Sequence, residues 1–82
     1  MSDAETQVRN YILDNFLFTE DQSQLANDDS FLEKGIVDST GMLEVILFLE
    51  DDFEITVKDD EMVPANLDSV SNILKFIQSK QA

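Results

Sequence analysis

The residues best placed to do chemistry are a pair, Asp38-Ser39, in the segment Gly35-Ile36-Val37-Asp38-Ser39-Thr40-Gly41. A serine at the start of a helix lies among backbone N–H groups that have no helical partner, at the positive end of the helix dipole. That is a favourable place for a phosphate. Gly35 permits a sharp turn ahead of the helix. The plainer role for Asp38 or Ser39 is an N-cap, which both residue types fill well. Little else competes. The chain has no cysteine and no histidine, which excludes disulfides, Cys/His zinc sites, thiol nucleophiles and Ser-His-Asp triads. The P-loop, G-x-G-x-x-G and H-E-x-x-H patterns are absent. Asp28-Asp29 and the acids between residues 50 and 61 do not follow the EF-hand order, so weak surface binding of divalent cations is expected rather than a dedicated metal site. A carboxylate pair for glycoside hydrolysis needs a cleft that so small a chain can hardly build.

Three helices must position this pair. In the first, about Asp3 to Phe16, Val8, Tyr11, Ile12 and Phe16 form one apolar stripe. Ser2 or Asp3 can cap it, and Glu5 suits its first turn. The last helix, about Ser69 to Ser79, shows the same pattern at Val70, Ile73, Leu74 and Ile77. Asp68 and Ser69 are its capping candidates, and Lys75 and Lys80 suit its negative end. The middle helix, about Ser39 to Phe53, opens on the serine itself. At about 100° per residue from Ser39, Met42, Val45, Ile46, Leu49 and Phe53 fall within roughly 240–340°, an arc without charge that should face the core. Leu43 and Leu47 fall outside it, as does Phe48, and Glu44, Glu50 and Asp51 lie beside the two leucines. This helix therefore carries a second apolar patch rimmed with acid.

The connections are also informative. A loop as long as Leu17 to Asp38 is uncommon unless its own apolar residues order it or it has a function. Leu25, Phe31, Leu32, Ile36 and Val37 are expected to pin it across the helices. Phe53, Ile55 and Val57 alternate with polar residues but have no second strand to pair with, so the segment reads as an extended connector. Met62-Val63 is expected to form a short helical turn before Pro64.

The sequence has 82 residues, a single domain over 1–82, and 27 of them are Leu, Ile, Val or Phe, enough for a folded core. Residues 1–10 have no apolar run and the longest apolar stretch is Val45 to Leu49, so neither a signal peptide nor a membrane span is expected and a cytoplasmic protein is. Eighteen acids against five bases give a net charge of −13. Such a surface repels nucleic acid and anionic lipid and attracts basic protein surfaces.

The Asp38-Ser39 segment resembles the phosphopantetheine attachment site of the acyl carrier protein family, a D-S-L-like motif opening the second helix. Leu43-Glu44, Leu49-Glu50 and Phe53-Glu54-Ile55 follow the family's spacing. So does Pro64-Ala65-Asn66-Leu67-Asp68-Ser69-Val70, which looks like the opening of the family's last helix. The resemblance implies an all-α, acyl-carrier-like four-helix bundle, with a long loop between helices 1 and 2 and a short third helix near 60–68. It implies 4′-phosphopantetheine bound covalently to Ser39, with Asp38 part of the site, and an acyl or aminoacyl group held on the arm's thiol as a thioester. The carrier itself would be no enzyme. Its partners would be a phosphopantetheinyl transferase, a loading ligase and acyl-processing enzymes, met by a monomer through Thr40, Leu43, Glu44, Leu47, Glu50 and Asp51. Here two residues separate Gly35 from Asp38, and Thr40-Gly41 replaces the leucine and polar residue usual in fatty-acid carriers. That variant is similar to stand-alone D-alanyl and aminoacyl carriers.

Gly41 inside a helix costs about 1 kcal/mol relative to alanine, which suggests that an arm or a partner's backbone approaches closely there, or else drift. Two other readings are an unmodified acidic interaction module and a nucleic-acid mimic; neither needs a serine at the helix start. The charge generates a prediction of its own. Nine acids and one base lie between Asp38 and Glu61. Screening relieves their repulsion in the compact state, so added magnesium or salt should raise the melting temperature followed by circular dichroism. An unmoved midpoint would show the repulsion to be unimportant.

Overall fold

The computed structural model describes residues 3–81. Its four α-helices are α1, Asp3–Ile12; α2, Ser39–Phe53; α3, Pro64–Leu67; and α4, Val70–Gln81. Two short 3-10 turns lie at Gln22–Gln24 and Asp59–Glu61. The described residues contain no strand, and none of their helices is long and apolar enough to cross a membrane. This is the four-helix arrangement expected, with the short third helix at Pro64–Leu67. Ser2, one of the two expected caps of α1, lies outside the described residues.

The first helix departs from expectation at its end. Regular α-helix stops at Ile12 and continues as a π turn, Leu13–Leu17. The Asn15 side-chain amide donates to the Tyr11 carbonyl at 2.9 Å. A side chain competing for the backbone ladder is one recognised cause of such distortion. The turn closes on Phe18, whose backbone is left-handed at φ 55°, and Thr19 N–H returns to the Leu13 carbonyl at 3.1 Å. Leu13, off the expected stripe, is buried because the turn at Gln22–Gln24 packs against this segment.

The long loop is ordered, by apolar anchors and by polar ones. Leu25, Phe31 and Val37 are buried and Ile36 half-buried; Leu32, expected to be an anchor, lies at the surface. Arg9 on α1 donates to the Gln22 side chain, the Gln22 carbonyl and the Asn27 side chain. Ser71 on α4 donates its N–H to the Asn27 carbonyl and its hydroxyl to Asp28. Asp68 does not cap α4 as expected. Its carboxylate accepts the Ser30 hydroxyl and the Leu32 N–H, and its carbonyl accepts Phe31 N–H at 2.7 Å. Ser69 is the residue that caps α4, accepting Asn72 N–H at 3.1 Å.

The connector after α2 is extended, with Ile55 and Val57 buried on either side of exposed Thr56. Lacking a partner strand, Val57 N–H donates to the Glu50 carboxylate at 3.0 Å, which satisfies a buried donor. The turn expected at Met62-Val63 forms earlier, over Asp59–Glu61, because the Glu61 carboxylate accepts Lys58 N–H at 3.0 Å and holds the chain there. Val63 is extended, and Pro64 takes the first helical position, where its missing N–H costs nothing.

Lys80 near the end of α4 reaches the same Glu61 carboxylate at 2.5 Å. The Lys80 ammonium first, and then Lys58 N–H, hold the Glu61 carboxyl below its ordinary value of 4.5. A carboxyl depressed in the folded state stabilises above its unfolded pKa and loses that contribution as pH falls through the lower folded one. Lys80→Met should therefore lower the melting temperature slightly at neutral pH, and the gap from wild type should narrow below pH 4.5. The Lys80 contact with the Phe76 ring, at 5.6 Å, involves no carboxyl and so carries no such pH dependence. A gap independent of pH would assign the effect of Lys80 to that contact instead.

Candidate functional site

Asp38 and Ser39 divide the two roles open to them. Asp38 is the N-cap of α2: its Oδ1 accepts Gly41 N–H at 2.7 Å and its carbonyl accepts Met42 N–H at 2.9 Å. Ser39 is the first helical residue, exposed, and its hydroxyl has no hydrogen-bond partner among the described residues. The Ser39 and Thr40 N–H groups are likewise unpaired within the helix, as first-turn donors are. An exposed oxygen thus stands at the positive end of a fifteen-residue helix.

The approach to this serine is built by the loop. Phe31 is fully buried, and its carbonyl accepts both Ile36 and Val37 N–H. Gly35, at φ 68°, takes the left-handed conformation that this reversal requires. Val37 is buried immediately before the cap, so Asp38 and Ser39 are delivered from a fixed anchor.

Beside Ser39 lies a groove of about 260 Å³ lined by Met42, Leu43 and Ile46 of α2, by Leu32, and by the segment from Met62 to Pro64 with Leu67. Sequence reasoning placed Leu43 on the outer face of α2 and Met42 and Ile46 on its core face, and missed the groove between them and its opposite wall. The signal available was Met62-Val63-Pro64, an apolar run in an otherwise acidic connector.

The middle helix presents the faces expected of it. Val45, Ile46 and Leu49 are buried, with Met42 and Phe53 half-buried at the edges of that face. Leu43 and Leu47 are 58% and 60% exposed, so the loop does not fold over them. Thr40, Glu44 and Asp51 are exposed around them. Glu50 is half-buried and committed to Val57 N–H. Phe48, off the core arc, stacks on Tyr11 of α1 with ring centroids 4.0 Å apart. Tyr11 meets Phe16 edge-on at 5.9 Å, and its hydroxyl donates to the Glu44 carbonyl at 3.2 Å. Burial, and then the negative charges of Glu44 and Asp52, push the Tyr11 hydroxyl above its ordinary pKa.

Gly41 has an internal explanation. A Cβ there would stand 2.8 Å from Phe16 Cε1, 3.1 Å from Val37 Cγ1 and 3.2 Å from Asp38 Oδ1. The close approach is to the protein's own Phe16, in the π turn after α1, and to Val37 and Asp38, an internal reason for glycine that the sequence reading did not offer.

No protein-family model matches the chain. Individual relatives do. A D-alanyl carrier protein of Streptococcus uberis is 36% identical over 76 residues, 90% of this chain and 95% of that protein. An acyl carrier protein of Exiguobacterium sibiricum is 35% identical over 60 residues, 73% of each chain. The solution NMR structure of a holo acyl carrier protein from Nitrosomonas europaea superposes with a TM-score of 0.77 at 27% identity, covering 99% of this chain and 98% of that one. With more than a third of the residues shared along nearly the whole of one such carrier, and the same fold from end to end in another, this chain belongs to the acyl carrier protein family.

Proposed function

We propose that this single domain carries an acyl or aminoacyl group as a thioester on 4′-phosphopantetheine attached to Ser39, and presents it to partner enzymes without doing bond chemistry itself. The observation that carries this reading is the exposed, unpaired Ser39 hydroxyl at the first position of α2. The residues fit the group. Asp38 holds the first turn through Gly41 N–H, leaving an exposed Ser39 beside an apolar groove, with the Ser39 and Thr40 N–H groups unpaired in the helix. A phosphodiester at Ser39 would lie where the helix dipole favours negative charge. The bound arm supplies a thiol, the one nucleophile that a chain without cysteine cannot.

Family membership brings modifying and processing enzymes as partners in general. For this chain we assign a phosphopantetheinyl transferase and a loading ligase to the outer face of α2. Leu43 and Leu47 form its apolar centre, Thr40 lies beside the serine, and Glu44 and Asp51 are free to steer basic surfaces. Glu50 contributes charge from a fixed position.

Two measurements test these assignments. Intact mass after incubation with coenzyme A and a broad-specificity transferase should rise by one phosphopantetheine in the wild type and not at all in Ser39→Ala. That variant should keep its melting temperature, because the side chain is at the surface. Modification of Ser30 or Ser69 in the variant would sink the site.

The recognition face is tested by contrast. Leu43→Ser should slow loading while melting close to wild type. Leu49→Ser, which opens a cavity and buries a hydroxyl in the core, should cost on the order of 2–5 kcal/mol. Equal melting losses would refute the assignment of faces, and normal melting with wild-type loading would refute the recognition role.

A further inference from the structure

The first turn of α2 rests on a residue that the sequence motif does not include. Phe16, half-buried at the end of the π turn, sets its ring edge against Gly41, so close that a Cβ at position 41 would stand 2.8 Å from its Cε1. Gly41 is also the residue whose N–H the Asp38 cap accepts, at 2.7 Å. The ring, the cap and the side chain of Val37 therefore converge on one Cα position, two residues from Ser39. Phe16 is itself held. Tyr11 meets it edge-on, Phe48 of α2 stacks on Tyr11, and Phe53 meets Phe48 edge-on at 5.8 Å. This row of four rings binds α2 to α1 from the serine end to the far end of the helix.

The placement also depends on the π turn. That turn is the local irregularity that carries Phe16 from the end of α1 to the start of α2. A side chain at Gly41 would displace the ring or crowd the capping carboxylate, and both set the path of the backbone at Asp38-Ser39.

From this we infer that Phe16 is a positioning residue for Ser39. By seating on Gly41 it fixes the first turn of α2 and hence the orientation in which the serine hydroxyl meets the enzyme that modifies it. The inference rests on the carrier reading given above. It adds a residue on another helix that acts on the reaction without touching the transferred group.

The pair makes a compensation test possible. Phe16→Ala should lower kcat for coenzyme A-dependent loading by about tenfold, since small misplacements of a reacting group are costly, while KM stays within about twofold because the Leu43–Leu47 face is untouched. Gly41→Ala should lower kcat by a similar factor. Phe16→Leu combined with Gly41→Ala should load faster than Gly41→Ala alone, because the smaller side chain makes room for the methyl. Amide hydrogen exchange supplies a readout independent of turnover. The Gly41 N–H should exchange faster in Phe16→Ala while the Leu49 N–H stays protected.

Ile77→Val is the control for plain destabilisation. Ile77 packs near Ala4, at the opposite end of α1, and this variant should load at the wild-type rate. The inference is overturned if folded Phe16→Ala loads at the wild-type rate with Gly41 N–H still protected. It is equally overturned if the double variant is no faster than Gly41→Ala. Should Phe16→Ala not fold, the comparison of Gly41→Ala with the double variant decides the matter. A wild-type protein that gains no mass would remove the carrier reading, and this inference with it. Wild-type loading with an indifferent Phe16 removes this inference alone.

Discussion

The burial of Phe31 is the constraint through which the loop, α4 and the serine are brought together. Its ring is fully buried, and its backbone is used twice. The N–H donates to the Asp68 carbonyl at the head of α4, and the carbonyl accepts Ile36 and Val37 N–H on the approach to α2. One residue thus ties the middle of a long loop to the last helix and folds the chain back toward Asp38. An 82-residue chain buries a smaller fraction of its unfolded surface than larger domains do. It has few contacts with which to order a long connection, and here apolar anchors coincide with backbone hydrogen bonds that would otherwise go unmade in the interior.

The faces of α2 show how the surface was freed for contact. Its core face is apolar and its α1 side is filled by Gly41 and Phe48 against Phe16 and Tyr11. The acids concentrate on what remains, around two leucines that stay largely exposed among the described residues. Carboxylates around an apolar patch discourage indiscriminate association and speed encounter with basic surfaces. Their mutual repulsion is the cost, and little of it is offset internally. Of the acids between Asp38 and Glu61, Glu61 has an ion pair, with Lys80, while Asp38 and Glu50 each accept a backbone N–H.

Legibility in the sequence followed the range of the interaction responsible. The bounds of α2 could be read from a cap at Asp38 and a run of periodic apolar residues, because capping and periodicity are local. The exposure of Leu43 and Leu47 follows from helical geometry alone. The π turn could not be read, since the periodicity of Val8, Tyr11, Ile12 and Phe16 fits an unbroken α-helix and does not show that the Asn15 amide would bond the Tyr11 carbonyl. Gly41 could be seen as anomalous but not explained, because its neighbour is twenty-five positions earlier and arrives through that same π turn. Asp68 and Ser69 were equal candidates for a cap, and tertiary demand separated them: Asp68 was drawn to the loop by the Ser30 hydroxyl and Leu32 N–H. Leu32 resembled its apolar loop neighbours in composition, yet it became a groove wall, for composition does not say which side of a turn faces inward.

Among the described residues, the two non-glycine positions with left-handed backbone, Phe18 and Glu54, close the π turn and α2 respectively. Each such residue costs roughly 1 kcal/mol or more, and helix ends usually spend a glycine there instead. The packing on either side explains why the conformation holds without one. Phe53 lies against Phe48 and Ile55 is buried, so the chain must reverse its direction at Glu54 whatever that residue prefers. At Phe18 the reversal is held by hydrogen bonds from Phe18 and Thr19 to the Leu13 carbonyl, while the ring itself is 81% exposed. Both strained residues therefore lie at ends of helices whose aromatic side chains lash α1 to α2. The length and placement of α2 follow from that lashing as much as from the propensities of its own residues. A serine at its first position inherits a location set by tertiary contacts, and the two-residue motif by itself does not determine it.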